Sequence, residues 1–156
     1  MPTEIRVTTD DNELSLEQLS WAMPDTSVVM VRIGENWWRL IFSARGGNWP
    51  LAEYYLRRVR KLENVLATLR PKHAERLARF QEEALPAVEA AIAARDAGGL
   101  ESAFAAATDM ANRMHVESGY PYIKWVLPAT APPGLDLGPV VAAPADVAHD
   151  HDDGAH

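Results

Sequence analysis

The stretch WWRLIFSARGGNWPLAEYYLRRVRKLE, residues 37–63, decides the fold. It opens at the end of a helical pattern in which Met30, Ile33, Trp37, Leu40, Ile41 and Ala44 recur at three- and four-residue steps, the stripe of a helix with one buried face. Gly46 and Gly47 stop that helix. Asn48 supplies an N-cap and Pro50 falls in the first turn of the next helix, where its missing N–H would have no partner in any case. Leu51, Tyr55, Val59, Leu62, Leu66 and Leu69 then carry an apolar face as far as Arg70. Two amphipathic helices joined by so short a turn must lie antiparallel.

The pattern extends in both directions. Upstream, the first helix is expected from about Thr26 to Ala44, with the β-branched start VVMVRI open to a second reading as a strand. Residues 1–25 form an acidic N-terminal extension in which SLEQLSWAM spaces Leu16, Leu19 and Met23 as a short helix. Downstream, Pro71 opens a third helix over about Lys72 to Ala97. Pro86 should kink or split it, and Gly98 and Gly99 should close it. A fourth helix over about Leu100 to Ser118 carries Phe104, Ala107, Ala111, Met114 and His115 on one side. The expectation is an all-α antiparallel four-helix bundle over residues 26–128, followed by a disordered acidic tail over 129–156 rich in Pro, Ala, Gly and Asp.

Composition narrows the function classes. The 156-residue chain allows one domain and carries a formal charge of −7. Residues 1–25 hold six acidic side chains against one Arg, residues 125–156 five Asp and no Lys or Arg, so the body between them is mildly basic at +3. That excess is too small for nucleic-acid binding. With no cysteine, disulfides, thiolate metal sites and thiol catalysis are excluded. The first residues lack a secretion signal and no apolar run approaches a membrane span, so a cytoplasmic location is expected, without membrane or nucleic-acid partners.

The element NWPLA at 48–52, the segment ANRMH at 111–115 and the run GYPYIKWVLP at 119–128 together resemble a group of small bacterial c-type cytochromes with a helical-bundle fold. In that family NWPLA opens the second helix, and a CNxCH haem-attachment motif precedes a Gly-x-x-(Phe/Tyr)-Ile segment ending in Pro. The resemblance covers residues 27–128. Asn112 and His115 match the attachment motif, while Ala111 and Met114 stand where its cysteines would be. Covalent haem attachment is therefore impossible. The resemblance implies instead a non-covalent site for haem or another tetrapyrrole, or for a different planar or apolar small molecule. It also implies a homodimer paired through the first two helices.

Residue by residue, His115 shares its helical face with Phe104, Thr108 and Ala111, which places an imidazole near the apolar interior. It reads either as a core histidine satisfied by a carbonyl, as an axial haem ligand, or as a general acid or base. Trp37, on the Ile33–Leu40 stripe, is the better placed of the paired tryptophans to face a central cavity, although such aromatics also simply fill cores. The cofactor-site candidates are thus His115, Trp37, Met114, Ala111 and Phe104. For a cofactor-independent enzyme the candidates are His115 as acid or base and Arg113, Tyr120, Tyr122 or Lys124 polarising the substrate. Asp109, Arg113 and Glu117 also read as a solvated face. RRVRK, with Arg57, Arg58, Arg60 and Lys61, reads as a solvated face or a docking surface for an acidic segment. HDHDDGAH at 149–156 is at most a weak chelator, and no specific metal site is expected. No Glu-x-x-His pair, Ser-His-Asp set or phosphate loop is recognisable. A structural scaffold with no ligand is the remaining alternative.

Overall fold

A computed structural model describes residues 5–140. It is mostly helical, with one small two-stranded sheet. In chain order the elements are β1 (Arg6–Thr8), β2 (Glu13–Ser15), α1 (Leu16–Ala22), α2 (Thr26–Arg45), α3 (Trp49–Leu69), a 3-10 turn (Pro71–His73), α4 (Ala74–Glu83), α5 (Leu85–Ala94) and α6 (Ala97–Glu117).

The decisive stretch folds as its residues dictate. α2 is helical from its first turn, capped by Asp25, whose side chain accepts from the Val28 N–H, so the β-branched start forms no strand. The chain reverses at Gly46 and Gly47, the latter at φ +78°. The Asn48 side chain then accepts from the Leu51 N–H at 3.1 Å and starts α3. α2 and α3 pack along each other as the principal helix pair. Their shared core includes Ile33, Trp37, Leu40, Ile41, Ala52, Leu56 and Val59.

The third helix is split in two as Pro86 leads one to expect, whereas two other placements differ from expectation. Pro86 has no N–H to donate, and the chain breaks at Ala84 into α4 and α5. Gly98 and Gly99 do not close α5 but lie in the first turn of α6; the turn before them is made by Arg95 in the left-handed region at φ 53°. Asp96 caps α6 by accepting from the Gly99 N–H at 2.9 Å. On α3 it is Glu63, not Leu62, that occupies the buried position between Val59 and Leu66. α5 packs on α6, and α3 touches both α4 and α5.

The ends are more structured than composition suggests. β1 and β2 pair antiparallel with Val7 opposite Leu14. Ser15 and Gln18 form a reciprocal capping box that starts α1, the short helix read from SLEQLSWAM. α1 buries none of its residues, and Trp21 is 84% exposed. The sheet was not legible because three-residue strands carry almost no periodicity. Within the expected disordered tail, Leu137 is buried, and its carbonyl lies so close to Gly46 that a Cβ there would collide with it. Leu137, Gly138 and Pro139 thus lie against Gly46 and Gly47 at the α2–α3 corner. The chelating HDHDDGAH segment lies outside the described residues.

Candidate functional site

α6 ends at Glu117, and the chain turns back on itself through Gly119 at φ +86°. The Tyr120 N–H donates to the His115 carbonyl at 2.8 Å, which tightens the turn. Asn112 then fixes the returning segment from both sides. Its Oδ1 accepts from the Trp125 N–H at 2.7 Å and its Nδ2 donates to the Trp125 carbonyl at 2.9 Å. The Trp125 indole thereby stands against His115, ring centroids 5.7 Å apart at 65°, and against Trp38 at 5.8 Å.

Beneath this clamp is a cavity of about 260 Å³ between α2, α3, α4 and α6. Its wall is largely apolar and includes Met30, Leu66, Phe80, Met114, Ile123 and Trp125. Glu63, His73, Arg76, His115 and Tyr120 also line it.

Burial shifts the titration of two of these in opposite directions. Glu63 is only 3% exposed, and burial pushes its carboxyl up to about 8, which the Gln81 amide and the Arg60 charge only partly oppose. Oε2 of Glu63 has no hydrogen-bond partner. Burial acts the other way on His115 and lowers its pKa from the usual imidazole value, against a smaller upward pull from the Ile123 main chain. No hydrogen bond of normal geometry reaches its Nδ1, which is buried without a partner. At neutral pH the cavity thus holds a protonated carboxyl and a neutral imidazole, each with an unused polar atom. His73 is likewise lowered, first by burial and then by Lys72 and Arg76.

Of the five residues expected to hold a cofactor, His115, Met114 and Ala111 line the cavity. Trp37 and Phe104 do not. They are 2% and 4% exposed, stacked on each other at 4.5 Å and 12°, and Trp37 Nε1 is satisfied by Thr108 Oγ1 at 2.9 Å. Both belong to the packed core. Of the residues expected to polarise a substrate, Tyr120 lines the cavity, whereas Arg113, Lys124 and Tyr122 point to solvent, Tyr122 at 78% exposure. Asp109 is solvent-exposed as expected, and Glu117 pairs across to Arg79 on α4. In the basic run, Arg57 pairs with Glu53 and Arg60 with Glu89.

Sequence reasoning passed over Glu63, His73 and Arg76. For Glu63 a signal existed: it follows Val59 by four residues and precedes Leu66 by three, a carboxylate on an apolar stripe. His73 and Arg76 reach the wall only because Pro71 turns the chain between α3 and α4, which no periodicity reveals. Among the described residues no group of His, Asp or Glu is arranged to hold a metal ion, and no helix is long and apolar enough to cross a membrane. The chain matches none of the family models, curated proteins or solved structures compared with it, so the likeness to cytochromes rests on its sequence elements alone.

Proposed function

We propose that the protein binds a small, largely apolar molecule, without covalent attachment, in the cavity beside His115. The observation that carries this reading is the pair of buried, unpartnered polar atoms, Glu63 Oε2 and His115 Nδ1, on two residues that line one largely apolar cavity. Leaving such atoms unpaired costs about 1–3 kcal/mol each, a cost that a guest with a polar head would remove. The helices α2, α3, α4–α5 and α6 are read as a four-helix bundle in a cytoplasmic protein. Pairing of two copies through α2 and α3 belongs to the same reading, supported by the exposed Val28 and Val31 on α2; sedimentation at rising concentration tests it.

Size separates the candidate guests. Drug-sized ligands occupy roughly 300–1,000 Å³, and a tetrapyrrole with its side chains needs the upper part of that range. The cavity, at about 260 Å³, lies below it. Nor do Trp37 and Phe104 leave a slot between them. Haem does not fit these residues as they are packed.

Calorimetric titration with octan-1-ol should give one saturable site, lost in Ala111→Phe, which fills the cavity from α6. Titration with haemin should give no Soret change that depends on His115; a change abolished by His115→Ala would restore the tetrapyrrole reading. Proton-transfer catalysis on the bound molecule is a second reading, favoured by two groups in one cavity shifted in opposite directions, the arrangement that separates an acid from a base. Any activity found should then show an imidazole limb that His115→Ala removes.

A further inference from the structure

The charges around the cavity specify the head group of its guest. Arg76 is the one Lys or Arg among the side chains that line the cavity. Its guanidinium makes only two long contacts, each 3.4 Å, to the carbonyls of Lys72 and Glu117. Among the described residues no carboxylate pairs with it. Glu63 faces Arg60 on its own helix, Gln81 on α4, and across the cavity Arg76, His73, His115 and Tyr120. Arg60 is engaged by Glu89 at 2.7 Å and the Gln81 amide also donates to Asn64 at 3.0 Å, while Glu63 Oε2 is left without a hydrogen-bond partner.

We infer that the guest is an apolar monocarboxylate, its carboxylate spanning Arg76 and Glu63 and its chain among Met30, Leu66, Phe80 and Met114. This rests on the small-molecule reading above and adds the chemical class. A carboxylate beside a second carboxyl is tolerated only if the latter keeps its proton. Burial provides for that, since Glu63 holds its proton up to about pH 8 and so can donate to the incoming anion. Arg76 supplies the formal counter-charge, and guanidinium presents paired N–H groups that match a carboxylate. A cationic head would meet Arg76, the Arg60 charge and a neutral Glu63, with no anion to receive it. The volume sets the length. A water-sized unit occupies about 30 Å³, so about 260 Å³ holds a chain of around eight such units.

The test uses three probes with one tail and different heads: octanoate, octan-1-ol and octylamine, titrated calorimetrically at pH 6.5 and pH 9. Each probe keeps a single charge state between these values, so any pH effect comes from the protein. Octanoate should bind tightest at pH 6.5 and weaken by up to about tenfold at pH 9, as Glu63 ionises. Octylamine should move in the opposite direction and octanol hardly at all. Glu63→Gln should hold octanoate equally at both pH values. Arg76→Met should weaken octanoate about tenfold while leaving octanol within about twofold, which separates a lost charge from a damaged cavity. Octylamine binding tighter than octanoate at pH 6.5, or three equal affinities, would overturn the carboxylate inference and leave the small-molecule reading standing. Failure of all three probes would remove that reading itself.

Discussion

Glu63→Gln keeps the shape of the side chain and deletes its charge, and its effect on stability can be worked out from burial alone. In the unfolded chain the carboxyl titrates at its ordinary 4.5; in the folded protein it titrates at about 8. Between those values the unfolded chain has released a proton that the native state still holds. Raising the pH therefore favours unfolding, by about 1.36 kcal/mol per pH unit from this one group. The contribution is fully present below pH 4.5 and lost as pH rises through about 8, above which the curve is flat. Because the residue is only 3% exposed, solvent screening reduces this little. His115 and His73 act in the other sense: their lowered values mean stability is lost as pH falls through the imidazole range. Both variants carry these imidazoles, so the difference between wild type and Glu63→Gln isolates the carboxyl. Urea unfolding followed by far-ultraviolet circular dichroism, at half-unit steps from pH 5.5 to 8.5, measures it. The advantage of the Gln protein should widen by about 2–3 kcal/mol between pH 5.5 and 7.5 and then level off. A difference that stays constant across the series would refute the claim that Glu63 is buried and uncompensated.

Other substitutions probe the framework of the site. Asn112→Ala removes both hydrogen bonds to the Trp125 main chain; it should cost about 1–3 kcal/mol and expose residues 119–127 to limited proteolysis well before global unfolding. Gly46→Ala places a Cβ against the Leu137 carbonyl, so it should cost about 1–3 kcal/mol and release residues 130–140 to protease. Arg95→Gly relieves a left-handed backbone at φ 53° and should raise stability by about 1 kcal/mol, read as a higher urea midpoint with unchanged slope.

The α2–α3 hairpin was legible because its signals agree with one another: a stripe at helical spacing, a glycine pair, an N-cap and a first-turn proline all mark the same corner. The break at Pro86 was legible for a similar reason, since a missing N–H disrupts a helix wherever it falls. Gly98 and Gly99 misled because glycine serves at either end of a helix, and here Asp96, two residues earlier, had already capped the next one. His115 was found from its stripe. Trp37 and Phe104, on equally good stripes, proved to be packed on each other; spacing gives a residue's face but cannot say whether that face meets a partner or a void. Glu63 was hidden for the opposite reason, since a carboxylate next to RRVRK reads as one more surface charge until the helix phase is followed through it.

The methionines give the most direct test of whether the cavity is a binding site. Met30 and Met114 line it, while Met23 is exposed on the N-terminal arm and Met110 lies on α6 outside the wall. With ¹³C-methyl methionine labelling, titration of octan-1-ol should move the Met30 and Met114 methyl resonances together along one saturable curve and leave Met23 and Met110 in place. Resonances of Met30 and Met114 that stay fixed, or shift without saturating in step with Met23, would contradict the account.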